Sequence, residues 1–386
     1  HKITSWIYME ALVYTFLLRD DVYFHDHNQF VDSKGRKVNA FDFEYSFSRL
    51  IDKDIASPGS WVLSNVDAFK AINDSIFTIN LKKPFPGFLG LLSMQYCSVV
   101  PKEIIESIDF YSHPIGTGPF KFQLWQKGEK LIFRKNLNYF EYYDNKQLPL
   151  LDGVAITFLR DKQAAFLEFI MGNIDFLSGI DGSYKDEILT KGGELRSKYK
   201  DQINLQVQDY LNTEYLGFLF SDSLSPIKYL EIRQAINYGF DRRKMLRYLR
   251  NNIGTPAENG FVPKGMPSFD QDIKGFYYNP EKSKQLINKI KRLHGEELGV
   301  ITLSTTSSYL DLCEYIQNEL AKLGLEIQIE VNPPSTHRQM VATSKLSFFR
   351  GSWIADYPDA ENYLSLFYSK NHSPSGPNYT HFVDSS

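Results

Sequence analysis

The sequence has few cysteines, little excess charge and no long apolar run. Its two cysteines, Cys97 and Cys313, lie far apart, which excludes a disulfide-rich scaffold and a C-x-x-C metal or redox site. The 43 Lys and Arg residues nearly balance the 46 Asp and Glu residues, leaving a net charge of −3 and no strong field to attract nucleic acid. We therefore expect no nucleic-acid partner.

No stretch approaches the roughly 18 apolar residues that cross a bilayer as a helix. The longest candidate near the start, residues 7–18, is interrupted by Glu10 and is typical of buried structure. No signal peptide is visible. The chain begins at His1 within apolar-rich sequence and stops at Ser386 just after a loop of Pro, Gly, Ser and Asn. We expect both ends to be truncated, so the lack of a targeting segment is weak evidence for a cytoplasmic location.

Motifs for catalysis and for metal or cofactor binding are also scarce. No Ser, Cys or His stands in an activating motif such as G-x-S-x-G. The Gly116-Thr117-Gly118 turn lacks the remaining glycine of a dinucleotide fingerprint, and His25-Asp26-His27 has no third metal ligand at a diagnostic spacing. The sequence therefore predicts a protein that is not an enzyme and that holds neither cofactor nor metal.

The sequence does contain ample material for cores and aromatic clefts. Of its 386 residues, 42% are hydrophobic and 15% are aromatic, enough for two or three folding units without disulfide support. Strand and helix patterns alternate along the chain, which predicts an α/β fold. Breaks rich in Pro, Gly and Ser at residues 113–119 and 224–226 suggest where one region passes to the next.

Apolar residues that recur with helical or strand periods predict the elements of each region. Asn39 is expected to cap the first long helix, and Asp241 interrupts the apolar stripe of a later one. Strand, helix and strand in succession within residues 154–176 indicate a βαβ unit. The elements expected are helices over 42–51, 162–171, 231–248, 280–293 and 310–323, a hairpin over 71–81, and strands over 120–125, 131–134, 154–159, 174–176, 300–303 and 325–330.

Five motifs along the chain resemble, in the usual order, the peptide-binding proteins of ABC importers, the family 5 solute-binding proteins. Each motif is weak alone, but five in register identify the sequence as a member of this family. They are LRDDVYFHD at 18–26 followed by VNAFDFEYSFSRL at 38–50, PIGTGPFKF at 114–122, GNIDF at 172–176, IRQAINYGFDRRKM at 232–245, and WIADYPDAENYL at 353–364.

The resemblance implies a type II periplasmic-binding-protein fold, with two α/β lobes around a cleft and a smaller accessory domain. It maps residues 1–112 to the accessory domain, 113–225 to an incomplete lobe I, and 226–386 to lobe II without the C-terminal return to lobe I. It further implies a monomer in the periplasm or cell envelope, with a lipid anchor left open. Such a protein closes two lobes over a peptide and delivers it to a membrane permease.

The segment GSWIADYPDAENYL, residues 351–364, is predicted to hold the ligand. The resemblance implies that Asp356 pairs with the α-ammonium group of a peptide, since a charge brought into a closed cleft needs a partner. Bracing of the following loop is the structural alternative for Asp356. Asp359 and Glu361 lack the spacing and the glycine of a calcium loop and are expected to be loop residues.

Four further ligand contacts follow from the resemblance. Trp353 matches a tryptophan of the cleft wall, with packing inside a strand as its alternative. Arg350 aligns with an arginine that receives the peptide carboxylate in a tripeptide mode, and a solvated charge at a strand end is its alternative. Asn212 and Tyr215 lie in a segment that resembles the cleft-lining strand, and either could serve packing. Residues 304–309 contain no cation where dipeptide-specific relatives have an arginine, so a dedicated dipeptide specificity is not expected.

Two other functions stay open. The family includes receptors for nickel chelates, haem and sugars, so a ligand of one of these kinds is the alternative to a peptide. From another class, a hydrolase could use Asp356 and Glu361 as acid and base, because paired carboxylates at a suitable separation do that work. The formation of product from a candidate substrate would reveal such an enzyme.

Overall fold

The computed structural model describes residues 12–106, 109–159, 161–179, 185–295 and 298–384. The chain divides into two compact units, His1–Leu177 and Ser178–Ser386. Both units mix helices and strands, which confirms the predicted α/β class. The finer division into residues 1–112, 113–225 and 226–386 stays a prediction. Within the described ranges, no helix has the length and hydropathy of a membrane span.

The first unit contains small antiparallel sheets with short helices beside them. In its first sheet the Phe47 and Phe77 rings meet edge to face, with centroids 5.4 Å apart, and this contact packs helix α1 on the sheet. The strands pair in the orders β1-β3-β2, β4-β5-β8 and β6-β7. The elements are β1 (Val13–Leu17), α1 (Ala40–Ile51), β2 (Val66–Asn73), β3 (Ile76–Leu81), α2 (Phe88–Ser93), α3 (Lys102–Ile105), β4 (Phe120–Gln126), β5 (Lys130–Lys135), β6 (Tyr142–Tyr143), β7 (Lys146–Gln147), β8 (Gly153–Thr157) and α4 (Lys162–Ile170).

Two asparagines fix local structure in this unit: Asn39, the predicted cap of α1, and Asn73, in the turn of the predicted hairpin. Asn39 Oδ1 accepts hydrogen bonds from two backbone N–H groups in the first turn of α1, and the Asp42 carboxylate accepts the Asn39 N–H at 2.9 Å. In the β2–β3 turn, Asn73 Oδ1 accepts the N–H groups of Ser75 and Ile76, each at 2.9 Å. In both places a short amide side chain satisfies backbone donors that have no partner in the adjoining element.

The prediction of a βαβ unit within residues 154–176 is wrong. Strand β8 and helix α4 are present, but residues 174–176 are irregular and Phe176 is 73% exposed. Strand β8 is instead the third strand of an antiparallel sheet, paired with β5. A run of three residues carries too weak a period to distinguish a strand from an irregular segment.

The second unit is built on a mixed sheet whose strand order is β11-β10-β12-β9. Strand β10 runs parallel to β11 and β12, and β12 runs antiparallel to β9. Ile236, Ile287 and Leu320 from three helices pack with Leu303 and Phe348 of the sheet in one buried core. The elements are α5 (Lys185–Ile188), β9 (Asn212–Phe218), α6 (Leu230–Tyr238), α7 (Arg242–Leu249), α8 (Pro280–His294), β10 (Thr302–Thr305), α9 (Leu310–Ala321), β11 (Gln328–Val331), α10 (Pro334–Ala342), β12 (Phe348–Ile354) and α11 (Ala360–Leu364).

Two helices replace the single helical stripe predicted over residues 231–248. Helix α6 ends at Tyr238 with Gly239 as its C-cap, and Asp241 caps α7 by accepting the N–H groups of Arg243 and Lys244 at 2.9 and 3.0 Å. The interruption of the apolar stripe at Asp241 is therefore an N-cap, a position that Asp favours. The other predicted helices and strands of this unit are present, with small shifts of their bounds.

Candidate ligand-binding site

The antiparallel strands β9 and β12 carry four of the five predicted ligand contacts, and Asp356 follows the end of β12. Successive side chains of a strand point to opposite faces of the sheet. In the observed register Tyr215 and Trp353 lie on one face, whereas Asn212 and Arg350 lie on the other. The structure therefore divides the predicted contacts into two groups instead of gathering them on one surface.

Trp353 and Asp356 share one partner, the side-chain amide of Asn362. Trp353 Nε1 donates to Asn362 Oδ1 at 2.8 Å, and the Asp356 N–H donates to the same oxygen at 3.2 Å. Asn362 Nδ2 donates to the Asp356 carboxylate at 3.3 Å. Asn362 is 4% exposed, while Asp356 is an exposed residue. The buried amide thus orients the indole and leaves most of the accepting capacity of the Asp356 carboxylate open.

The acidic side chains of the loop after Asp356 and of the first turn of helix α11 bond to neighbouring groups of the same segment. Asp359 caps α11 by accepting the Glu361 N–H at 2.8 Å, and Glu361 in turn accepts the Tyr357 hydroxyl. Burial of Tyr357 and the neighbouring Glu361 carboxylate raise the pKa of the Tyr357 phenol, so it stays protonated as a donor. Asp359 is thus a loop residue that caps a helix, whereas Glu361 lies in the first turn of α11 and not in the loop expected from the sequence.

Tyr215 belongs to an aromatic cluster on the same sheet face as Trp353. Its ring lies 5.2 Å from the Phe261 ring and 6.4 Å from the Phe349 ring, measured between centroids. Burial raises the pKa of the Tyr215 phenol above its usual value. Gly351 stands opposite Tyr215, and a Cβ atom added there would overlap the tyrosine ring. This face therefore requires glycine at 351 to seat the aromatic ring.

The other face carries a polar cluster centred on the Glu214 carboxylate. Arg350 Nη2 lies 2.7 Å from Glu214 Oε2, and the Arg350 guanidinium carbon lies 3.2 Å from the centre of the Tyr309 ring. Asn212 Nδ2 and the Ser352 hydroxyl each lie 2.9 Å from Glu214 Oε1. The side chain of Arg350 is only 13% exposed. Arg350 is thus a paired, largely covered cation and not a solvated charge at a strand end.

Glu214, Tyr309 and Asn362 are among the residues of these clusters that were not predicted as contacts from the sequence. Glu214 lies between Asn212 and Tyr215 in the segment that resembles the cleft-lining strand of the family, so the sequence could have indicated it. Tyr309 precedes α9 and reaches β12 only through the fold. Asn362 lies within the predicted ligand segment, but nothing in its spacing shows that its amide returns to Trp353.

The histidine pair considered as a metal site is used structurally. His25 Nε2 lies 2.9 Å from the Gly118 carbonyl oxygen, and Asp26 accepts the Gly35 N–H at 3.0 Å. Asp26 also pairs with Lys121 at 3.3 Å. In the part of the chain that the structure describes, no three His, Cys, Asp or Glu side chains are grouped so that they could hold a metal ion.

Comparison with known proteins adds relatives of one kind. Heme-binding protein A of Haemophilus influenzae is 25% identical, and the alignment covers 94% of this chain and 67% of that protein. The dipeptide-binding protein of Escherichia coli is 23% identical over 96% of this chain and 70% of that protein. These relatives are binding proteins by name and not enzymes.

The fold is shared with a solved periplasmic binding protein. The ABC transporter-associated protein DppA from Helicobacter pylori, in complex with the peptide STSA, superimposes with a TM-score of 0.77. It is 24% identical, and the match covers 99% of this chain and 75% of that one. The likeness confirms the predicted type II periplasmic-binding-protein fold. Residues 3–375 match the bacterial extracellular solute-binding proteins, family 5 Middle, and the chain therefore belongs to solute-binding protein family 5.

Proposed function

We propose that this chain is the extracytoplasmic binding component of an ABC importer and that its ligand is a peptide. The observation that carries the proposal is the Asp356 carboxylate, which is exposed and held beside Trp353 by the buried amide of Asn362. A carboxylate gives an α-ammonium group a charge-assisted hydrogen bond, and an adjacent indole gives the first residue an apolar surface. The dipeptide-binding relative and the peptide-bound structural relative support this ligand class.

The other predicted ligand contacts have different roles in this proposal. Trp353 forms the wall beside the amino end, and Tyr215 supports that sheet face through its aromatic neighbours. Asn212 and Arg350 belong to the Glu214 cluster on the opposite face. We further propose that the protein acts as a monomer in the periplasm or cell envelope and delivers its ligand to a membrane permease. The closing of two lobes over the ligand and the three-region division stay predictions of the family resemblance.

Native mass spectrometry tests the ligand class without assuming a peptide sequence. Protein purified without denaturation should carry a bound mass that fragments as a peptide, or should select peptides from a defined pool when it is purified empty. A bound sugar in place of a peptide would contradict the peptide proposal and leave family membership unchanged.

Haem is the second candidate ligand, because the relative from Haemophilus influenzae is a heme-binding protein by name. Titration with haem, followed by Soret absorbance, separates the two candidates. We expect no saturable change in Soret absorbance as the haem concentration is raised to that of the protein. A nickel–histidine titration in the same format tests the chelate alternative, and saturable binding of either ligand in preference to peptides would overturn the peptide assignment.

We infer that the protein binds its ligand without turnover. Of the two carboxylates considered as acid and base, Glu361 is engaged by the Tyr357 hydroxyl and only Asp356 remains an exposed residue. Peptides incubated with the protein should therefore be recovered intact by chromatography. A new product that forms with the wild type and not with Asp356→Asn would contradict this inference.

A further inference from the structure

We propose that His372 and His381 form a pH-sensitive clasp, which holds residues 371–384 on the second unit near neutral pH and releases them in acid. The two imidazole rings are stacked, with centroids 4.7 Å apart and planes 14° from parallel. His372 Nε2 also lies 3.4 Å from the Phe382 carbonyl oxygen. Because histidine is the side chain whose charge changes between about pH 5 and pH 8, two stacked imidazoles can respond to acid together.

His381 ties three segments of the chain together. Its Nε2 lies 3.1 Å from the Ser373 carbonyl oxygen and 3.0 Å from the Ser344 hydroxyl, and its Nδ1 lies 3.2 Å from the Ser221 hydroxyl. A carbonyl oxygen only accepts, so Nε2 carries a hydrogen and Nδ1 of the neutral ring accepts from Ser221. The ring thus joins the chain after β9, the chain after α10 and the loop at Ser373.

Two residues of the clasp have a strained backbone. Ser344 and His381 have φ values of 55° and 54°, in the left-handed region that residues with a Cβ atom rarely adopt. Such strain persists only where surrounding contacts hold it. Here the contacts are the hydrogen bond between the two side chains and the Phe220 N–H, which donates to the Thr380 carbonyl at 2.8 Å. Once they are lost, relaxation of the backbone favours the released segment.

The surroundings of the stack oppose a second proton. One protonated ring is well placed, because the hydroxyl and carbonyl oxygens around His381 accept hydrogen bonds. Protonation of His372 as well puts two like charges 4.7 Å apart, and like charges in a partly buried site disfavour each other's ionised form. The Asp222 carboxylate nearby already accepts the Ser347 hydroxyl and the Leu224 N–H. The charged side chains of the surrounding segments are two acidic and three basic, with no net negative charge to offset the pair: Asp222, Arg233, Lys345, Lys370 and Asp384.

Acid therefore favours the released segment. Once the stack is broken, the two rings take up protons without repelling each other, so the released form binds more protons than the clasp. The stabilisation of the clasp is complete while at least one ring is neutral. It is lost as the pH falls and the second ring is protonated.

The clasp also ends an aromatic row that starts at the proposed site. The ring centroids of Phe382 and Phe367 lie 6.2 Å apart, those of Phe367 and Phe261 lie 5.0 Å apart, and Phe261 contacts Tyr215. Release of residues 371–384 removes Phe382 from this row and loosens the packing beside the ligand face. This consequence rests on the proposed function, whereas the clasp itself does not.

Hydrogen exchange followed by mass spectrometry at about pH 7.5 and about pH 5 tests the clasp without a ligand. After correction for the intrinsic exchange rate, residues 371–384 of the wild type should lose protection about tenfold or more in acid, as like charges 4.7 Å apart predict. Helix α8 should keep its protection. In His372→Gln, which cannot carry the second charge, residues 371–384 should be protected equally at both pH values.

His294→Gln is the matched control, because His294 also stacks in this unit, but on the Tyr229 ring, with centroids 4.3 Å apart. A phenol takes up no proton in acid, so this variant should lose protection at residues 371–384 as the wild type does. Two results overturn the inference. One is a wild type whose residues 371–384 are equally protected at both pH values, which decides the matter even if His372→Gln fails to fold. The other is a folded His372→Gln variant, checked by circular dichroism, that loses as much protection in acid as the wild type.

Discussion

Asn362 is the residue on which the proposed amino-end site depends most, because it is the common partner of Trp353 and Asp356. We expect Asn362→Ala to lower the free energy of unfolding by about 1–3 kcal/mol, since it leaves buried polar groups unpaired. Peptide affinity should also fall, although the Asp356 carboxylate is retained. Urea unfolding and calorimetry measure the two effects. Asn288→Ala, on the exposed side of α8, should lower neither quantity, and full peptide affinity in Asn362→Ala would exclude a positioning role.

Gly351 offers a second test at the residue scale. Alanine at this position places a Cβ atom inside the van der Waals surface of the Tyr215 ring. We expect Gly351→Ala to destabilise the protein by about 1–3 kcal/mol, as overpacking of a well-filled site does. Thermal or urea unfolding measures the change. Gly192→Ala is the control, since an added Cβ there makes only an ordinary contact at 3.6 Å with the Thr190 hydroxyl. Equal stability of the two variants would show that the ring moves freely.

The ligand segment shows how far the sequence predicts a site. The motif WIADYPDAENYL indicated Trp353 and Asp356 as ligand contacts by its resemblance to the family, because both residues lie within this one continuous segment. The pairing of Arg350 with Glu214 depends on the β9–β12 register, which the sequence of neither strand contains. The return of Asn362 to Trp353 depends on the turn that starts α11. Partners that meet through tertiary structure could not be predicted from local pattern.

At the scale of elements, Asp241 separates two helices where the sequence pattern predicted a single one. The Asp241 side chain accepts two backbone N–H groups at the start of α7. We expect Asp241→Ala to cost about 1 kcal/mol of stability, the usual effect of losing such a cap. Hydrogen exchange should show faster opening of the first turn of α7. The exposed Asp272→Ala is the control, and unchanged exchange in Asp241→Ala would mean that tertiary packing alone holds this turn.

Elements long enough to show several periods of apolar residues were predicted well, and features of only a few residues were not. Helices α8 and α9 have apolar stripes that pack into one core, so the helical period of their apolar residues corresponds to buried contacts in the fold. The helix break at Asp241 and the irregular residues 174–176 involve only a few residues each. Over such lengths the side-chain pattern is shared by several structures, and the neighbouring contacts decide between them.

At the scale of the whole molecule, the pH dependence of stability should include a contribution from His25. Burial lowers the pKa of His25 below its ordinary value, which favours the neutral imidazole in the folded chain. As the pH falls, the unfolded chain therefore takes up a proton on His25 before the folded chain does. The stabilisation from the neutral His25 is complete above the pKa that this histidine has in the unfolded chain. It is lost as the pH falls towards the lower pKa of the folded chain.

We expect His25→Gln to flatten the loss of stability that accompanies acidification from about pH 7 to pH 5. Urea unfolding at a series of pH values measures this slope. The exposed His113→Gln, in the same unit, is the control and should retain the slope of the wild type. A slope that is unchanged in His25→Gln would contradict the contribution assigned to this histidine.

The family and the fold class were accessible from the sequence because five motifs stand in order across nearly the whole chain. The boundary of the two compact units after Leu177 was not among the sequence predictions, and the expected regions 1–112, 113–225 and 226–386 stay a prediction. A turn rich in Pro and Gly marks a change of direction, and it does so equally within a unit and between units.

The central claim is that Asp356 binds the amino end of a peptide, and calorimetry with trialanine and N-acetyltrialanine tests it most directly. The wild type should bind trialanine and should bind the acetylated form at least about tenfold more weakly, because acetylation removes the charge that Asp356 pairs. In Asp356→Asn the affinity for trialanine should fall by about 2 kcal/mol or more, and the two ligands should become similar. Unchanged affinity of Asp356→Asn for trialanine would contradict the claim.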